Sequence, residues 1–284
     1  MKNYSQLCLF AVILLLMSST VTAQDDYDYH PLLSDNFSIG LGWFRSDNSF
    51  KVRADDPGLD IAPLTPDIDF DDSLGVDQTS TLLNAQLRWK FGRERKWSLW
   101  GQYFSNDASG EATLEEDVEW QDVIFREGTF VGAGVKMEII RAFIGRSFVK
   151  SEQHDFGVGI GIHNLDLETY IEGEILFDDD STGLYRGEVS ESQPLPNIGG
   201  WYSFSPARKW LLHARVDWIS ANIGNYDGTL WNTNLGVNYQ AWRHVGFDLS
   251  YQYFNLNLEV DKEDWRGGVD MTYSGPVLSV TFNW

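Results

Sequence analysis

Histidine is the residue type in this sequence best suited to exchange a proton near neutral pH, because its pKa lies at about 6.5. A hydrolytic site would set one histidine beside an acid and a hydroxyl group. An enzyme that acts on lipid or peptide outside the cell would need that group at an exposed rim. The five candidates are His30, His154, His163, His213 and His244. Whether any of them qualifies depends on the elements that carry them.

Three aspartates have the spacing of calcium ligands. Asp67, Asp69 and Asp71 occupy alternate positions, as the first ligands of a calcium loop do. The sixth position is Asp72 instead of glycine, and the twelfth is Gln78 instead of a bidentate glutamate. We therefore expect these carboxylates to be solvated in a loop and no cofactor to be bound, with low-affinity calcium as the alternative. The same expectation covers the acidic runs 115–117 and 178–180.

The first 23 residues have the features of a secretory signal peptide. A basic start is followed by an apolar run from Leu7 to Met17 and then by small residues up to Ala23. We predict cleavage after Ala23, which leaves one domain of residues 24–284. Cys8 leaves with the signal, so no disulfide or cysteine metal site is expected.

The mature chain is strongly acidic. The sequence has 21 basic and 42 acidic residues, and the loss of Lys2 with the signal leaves 20 against 42, a net charge of −22. Such a surface repels nucleic acid, so no nucleic acid partner is expected. The 12 Trp, 12 Tyr and 17 Phe argue against disorder. They are typical of strands in a membrane wall or in a large β-sandwich.

The last strand favours the membrane wall. Its apolar face carries Leu278, Val280, Phe282 and Trp284, and its other face is polar. This strand resembles the C-terminal signal by which the barrel assembly machinery recognises Gram-negative outer-membrane β-barrels. The resemblance implies an outer-membrane location and that machinery as a partner during biogenesis. It also implies outer-membrane lipid and lipopolysaccharide as surrounding partners.

The rest of the chain repeats this alternation about ten times. Short connections are expected near 92–95, 151–154, 205–208 and 241–244, and long or acidic ones near 54–78, 106–128 and 173–195. This asymmetry is typical of an all-β, antiparallel up-and-down transmembrane β-barrel. We predict about ten strands. Eight or twelve are the alternatives, because the alternation slips near Ile139 and indicates a bulge or a turn there.

Two short motifs resemble an uncharacterised group of Gram-negative outer-membrane barrel proteins. They are residues 67–75, which contain the aspartates described above, and Pro194-Leu195-Pro196. The resemblance spans most of the mature chain. It implies the barrel fold and no activity.

The alternation also predicts a charged lumen. The residues expected to face it are Arg88, Lys90, Lys136, Glu138, Arg215, Asp217 and Asp248. Charges removed from water need partners, so we expect a paired network that fills a narrow interior. The interior of a small barrel is largely occupied by side chains, and the alternative is a narrow conduit for ions or small solutes.

The same topology places the histidines. His163 and His213 are expected inside the barrel and the other three on the side of the short turns, so none is expected at the outer rim. We therefore predict a non-enzymatic outer-membrane protein, structural or a narrow channel, with acidic extracellular loops. A lipid- or peptide-directed enzyme at the outer face is the alternative, and a cluster of histidine, acid and hydroxyl would be its signature.

Overall fold

The computed structural model describes residues 29–55, 67–120, 123–176, 182–261 and 266–284. The predicted signal peptide and the acidic run 178–180 lie outside the described residues. A four-residue helix, α1 (Pro31–Ser34), precedes the first strand. His30 caps it, because its Nδ1 accepts a hydrogen bond from the backbone N–H of Leu32 at 3.2 Å. No helix in the described part of the chain is long and apolar enough to cross a membrane.

Ten long strands form one antiparallel sheet that closes on itself. Numbered with the short strands in chain order, they are β1 (Phe37–Asp55), β3 (Thr79–Phe91), β4 (Trp97–Thr113), β7 (Phe130–Lys150), β8 (His154–Leu176), β9 (Thr182–Ala207), β10 (Trp210–Ile223), β11 (Tyr226–Trp242), β12 (Val245–Asp261) and β13 (Arg266–Asn283). Neighbours in this list are neighbours in the sheet, and β13 pairs back with β1. The predicted ten-stranded up-and-down barrel is confirmed.

Three short strands lie in the connections. β2 (Ile68–Asp69) pairs with β1, and β5 (Val118–Trp120) pairs with β6 (Val123–Phe125) in a separate hairpin. These strands lie at one end of the barrel, which we call the loop end. The opposite end, the turn end, carries α1, the C-terminal Trp284 and a 3-10 turn at Arg93–Arg95.

Two segments predicted as loops are largely strand. β4 pairs residues 106–113 with β7, and the β8–β9 pairing extends as far as Leu176 and Thr182. The predicted loops at 106–128 and 173–195 are therefore wrong over much of their length. The alternation persists in these segments, but the apolar residues change to the other face.

β7 shows this change of face most clearly. Its odd positions from Val131 to Ile139 point inward and are at most 1% exposed. Ile140 and Ile144 point outward, and Arg141 is buried inside. The register with β8 is continuous here, so the predicted bulge near Ile139 is wrong. The register shifts instead between Ser147 and Val149.

The barrel therefore has two halves of opposite polarity. The half near the loop end is apolar inside and polar outside, like a barrel surrounded by water. The half near the turn end is polar inside and apolar outside, like a barrel surrounded by lipid. The exposed outward residues of this second half include Trp43, Leu87, Trp89, Ile160, Leu212, Leu235, Leu249 and Leu278.

A dry core fills the interior at the loop end. The ring of Phe104 lies 6.3 Å from that of Phe44 and 6.0 Å from that of Phe254. The connections contribute to the same core, and Phe70 packs against Trp120 with ring centres 5.7 Å apart. The other core residues supplied by connections or short strands are Ile68, Leu74, Val76, Leu114, Val118 and Phe125. The members of this loop-end core are all buried, at no more than 8% exposure.

Candidate functional site

Charged residues form a buried network in the turn-end half of the interior. Arg88 Nη2 lies 2.9 Å from Asp155 Oδ2. Asp217 Oδ2 accepts from Arg141 Nη2 at 2.7 Å and from Arg215 Nε at 3.2 Å. These side chains are 0–12% exposed, so little water screens them. Desolvated charges of this kind persist only when they are paired and hydrogen-bonded.

Uncharged side chains also donate hydrogen bonds to these two carboxylates. Asp155 accepts hydrogen bonds from Ser147 Oγ at 2.6 Å and from Trp201 Nε1 at 3.2 Å. Asp217 accepts from Asn232 Nδ2 at 3.4 Å. The network therefore joins β3, β7, β8, β9, β10 and β11 across the interior.

Aromatic rings pack between the arginines. Arg88 Cζ lies 4.2 Å from the centre of the Trp100 ring, and Arg215 Cζ lies 4.7 Å from it. Trp201 occupies space left by glycine, because a Cβ at Gly157 would lie 2.3 Å from its Cζ2. At this position, an inward glycine of β8 makes room for an indole from the neighbouring strand.

Two residues of the network were not predicted. Arg141 and Asp155 lie inside with Arg88, Arg215 and Asp217. Arg141 has the opposite parity to Lys136 and Glu138, which were expected to face the lumen, so the predicted alternation placed Arg141 on the lipid face. Asp155 lies between the predicted turn at 151–154 and Phe156, the first apolar residue of the next predicted strand, and was assigned to neither.

The structure places two of the predicted lumen residues outside. Lys136 is on the outer face with its side chain 61% exposed, and its Nζ lies 3.9 Å from Glu168 Oε2. Glu138 is half-buried on the same outer face. Their prediction as lumen residues was wrong because the adjacent apolar residues Val135, Met137 and Ile139 point inward in this half of the barrel.

The remaining predicted acid, Asp248, lines a cavity of about 110 Å³ beside the network. His213 Nε2 lies 2.7 Å from Asp248 Oδ2. Within the described residues, no hydroxyl group is hydrogen-bonded to His213. The pair therefore supplies an acid and a base without a positioned nucleophile. Further lining residues are Leu32, Arg88, Trp100, Arg141, Arg215 and Gln252.

The helix α1 covers the turn end of the interior. Lys90 Nζ donates to the carbonyl oxygens of Leu32 at 2.5 Å and of Leu33 at 2.8 Å. After the helix, Asp35 accepts two hydrogen bonds from Arg243, at 2.6 and 2.9 Å. These contacts attach the segment before β1 to the barrel wall on both sides.

Two titratable groups of this segment have shifted pKa values. Burial raises the pKa of Asp35, but hydrogen bonds from Arg243 and Asn283 outweigh it, so the pKa lies below its usual value. Burial and the nearby Lys90 ammonium lower the pKa of His30 to about 4. Its Nε2 is buried without a hydrogen-bond partner among the described residues. His30 is therefore neutral where α1 is docked.

The other three histidines lie away from the loop end. His163 is buried in the interior, with its ring 6.4 Å from Phe254. His154 stacks on Phe204 at 4.8 Å. His244 Nδ1 lies 2.7 Å from the carbonyl oxygen of Asn283. In the described ranges, no histidine lies in the connections at the loop end.

The three aspartates considered for calcium each have a different partner. Asp67 Oδ1 contacts Arg53 at 3.3 Å, and Asp69 accepts from the backbone of the following turn at 3.1 Å. Asp71 accepts from the backbone N–H of Phe50 at 3.2 Å, and burial raises its pKa to about 6. No group of three or more His, Cys, Asp or Glu side chains converges in the described part of the chain. The aspartates thus brace this connection over the loop-end core.

Three of the solved structures to which the chain is similar cover most of its length. The outer membrane protease OmpT from Escherichia coli matches with a TM-score of 0.55 and 8% identity, over 92% of this chain and 99% of that chain. The transport unit of the autotransporter AIDA-I from Escherichia coli matches with a TM-score of 0.41 and 9% identity, over 99% and 98%. The toluene transporter TodX from Pseudomonas putida matches with 0.37 and 6%, over 88% and 90%. No protein-family profile and no curated protein sequence matches the chain. The OmpT match, with a TM-score above 0.5, and the closed antiparallel sheet show that the chain has the fold of an outer-membrane β-barrel.

Proposed function

We propose that this chain is a non-enzymatic protein of the outer membrane of a Gram-negative bacterium, and that its barrel is closed. The turn end would face the periplasm and the loop end the outside. The outward apolar side chains of the turn-end half support this orientation, because they suit lipid, and the polar outer face of the loop-end half suits water. Outer-membrane lipid and lipopolysaccharide are the corresponding partners.

The observation that carries the proposal is the filling of the interior at three levels. The helix α1 covers the turn end, the paired network of Arg88, Arg141 and Asp217 crosses the middle, and the loop-end core fills the rest. A conduit needs a continuous wet path, whereas the cavity beside the network has a volume of about 110 Å³. A structural role is therefore favoured over a small-solute channel.

Conductance in planar bilayers tests this proposal. The full-length protein should insert without producing defined conductance steps, because the dry loop-end core offers ions no solvation. Arg141→Gln should behave in the same way, and flotation with vesicles would verify that both proteins have inserted. Regular steps whose size changes in Arg141→Gln would establish a conduit through the network and overturn the proposal.

A further inference from the structure

The barrel wall is not continuous between β9 and β10. Their pairing ends at Ile198 and Trp218. Beyond this point β10 remains paired with β11 as far as Ile223, and β9 remains paired with β8 back to Thr182. Two strand edges therefore diverge without a hydrogen-bond ladder between them.

The sequence of β9 is adapted to this gap. The N–H of Ser205 donates to Gln153, on the β8 side, and the β8–β9 register is continuous from residue 204 to residue 182. Since successive N–H groups of a strand point to opposite edges, those of even positions would point towards β10. Pro194 and Pro196 occupy two such positions and have no N–H to leave unpaired. The Pro-Leu-Pro motif is thus explained by the missing ladder.

A pocket of about 450 Å³ lies at the gap. This volume falls within the range of about 300–1,000 Å³ that is usual for ligand sites. Its lining is mostly apolar, with Leu230, Leu256 and Leu258 buried and Leu195 and Ile219 partly buried against the same core. The rest of the lining includes Pro194, Pro196, Thr229, Gly224 and Asn225.

The mouth of the pocket adjoins the outward apolar band. Ile198 and Trp218, the last pair before the gap, are 56% and 41% exposed on the outer face, and Trp231 pairs with Trp218 on β11. Polar groups lie at the other side of the mouth. Gln193 Nε2 donates to the hydroxyl of Tyr226, and that hydroxyl lies 3.4 Å from Glu191 Oε2. An occupant would therefore meet apolar wall on one side and hydrogen-bonding groups on the other.

We propose that this lateral pocket takes one hydrocarbon chain of an outer-leaflet lipid. The assignment rests on the membrane orientation proposed above, in which the mouth lies at the outer boundary of the apolar band. Continuity of the apolar band with an apolar pocket favours a chain that enters from the side. The polar group of the lipid would remain near Gln193 and Tyr226, outside the hydrocarbon region.

The test uses the purified full-length protein in detergent micelles with stearic acid that carries a nitroxide near its methyl end. The electron paramagnetic resonance spectrum should contain an immobilised component that unlabelled stearic acid displaces. In Leu256→Trp the indole would fill the pocket and exclude two or more methylenes, which weakens binding at least about tenfold. Leu249→Trp is the matched control, because Leu249 lies on the same strand and is exposed on the outer face.

A second filling variant guards against a folding defect, since Leu256 is 1% exposed. Leu195→Trp changes a partly buried side chain at the mouth and should weaken binding in the same way. Heat-modifiable migration on a gel would show that each variant is folded. Equal immobilisation of the labelled stearic acid by the wild type and by a folded filling variant would contradict the proposal that the pocket binds a hydrocarbon chain. Because the assay is done in micelles, that result would leave the conductance test of the closed barrel unaffected.

Discussion

Arg141 and Asp217 are the most completely desolvated ion pair of the interior, at 2% and 0% side-chain exposure. The attraction between them does not by itself show a gain in stability, because both charges have lost their hydration. What the pairing makes unfavourable is the loss of one partner. Three arginines depend on two carboxylates here, so each carboxylate matters more than a single contact would suggest.

We predict that Asp217→Ala destabilises the barrel by about 3–5 kcal/mol, because it leaves Arg141 and Arg215 buried without a counter-charge. Urea unfolding in micelles, followed by tryptophan fluorescence, would measure the change. Lys136→Ala is the control, since its exposed pair with Glu168 should contribute about 1 kcal/mol or less. A loss of similar size in both variants would contradict the proposed importance of the buried network.

His30 makes the docking of α1 sensitive to pH. Its pKa falls from 6.5 in the free segment to about 4 in the docked one, so the undocked state binds more protons between these values. The free energy of docking is most favourable above pH 6.5. It becomes less favourable as the pH falls towards 4, and the loss is about 2 kcal/mol at pH 5. The lowered pKa of Asp35 acts only below its ordinary value of 3.8 and does not enter this window.

The measurement is the rate at which a protease cleaves the segment before β1, compared at pH 7 and pH 5. The rate should rise on acidification in the wild type. His30→Gln should abolish most of this rise, because glutamine does not titrate. An unchanged pH profile in His30→Gln would show that another group controls the docking.

At the scale of the strands, the period of two was sufficient to predict the number of elements and their antiparallel order. It placed Arg88 and Lys90 of β3 correctly inside the barrel. It failed on β7, where apolar residues occupy alternate positions from Val131 to Ile139 and then continue on the other face at Ile140. The alternation divides the residues of a strand between two faces. Which face points inward depends on whether lipid or water surrounds that half of the barrel. A single sequence does not state where those surroundings change.

The partners of the interior charges could not be predicted from the sequence, for a related reason. Asp155 meets Arg88 across the interior, although 67 residues separate them. Such a pair depends on the stagger of all the strands between them. The loop-end core was missed because its members Phe70 and Trp120 lie in connections, where apolar residues give no periodic signal.

The terminal strand gives a prediction about assembly. Trp284 is 48% exposed, and its ring lies 5.1 Å from that of Phe37 across the β13–β1 seam. If Leu278, Val280, Phe282 and Trp284 form the recognition signal, Trp284→Ser should reduce the amount of heat-modifiable protein in the outer membrane and increase degradation in the periplasm.

Trp242→Ser is the matched control, because Trp242 is 55% exposed at the same end and packs on Phe247 at 6.2 Å. It should assemble normally. Equal assembly of the two variants would contradict the assignment of the terminal aromatic residue to the recognition signal.

At the scale of the whole molecule, the orientation can be tested with short epitope insertions. Gly128 has a positive φ, and a Cβ added there would meet nothing within 4 Å, so an insertion should be tolerated. We predict that an epitope at Gly128 is accessible to antibody on intact cells. An epitope at Glu94, in the turn between β3 and β4, should be accessible only after permeabilisation. The reverse pattern of accessibility would show that the barrel has the opposite orientation in the membrane.

In the membrane orientation proposed above, the exchange of polarity along the wall also fixes the depth of immersion. If the barrel moved inward by two residues, Lys136 and Glu138 would approach the hydrocarbon, where a cationic side chain near the midplane costs about 2–4 kcal/mol. If it moved outward, the turn-end tryptophans Trp89 and Trp210 would leave their interface. The vertical position of the protein is thus set by its own sequence, and the mouth between β9 and β10 is held at one level of the bilayer.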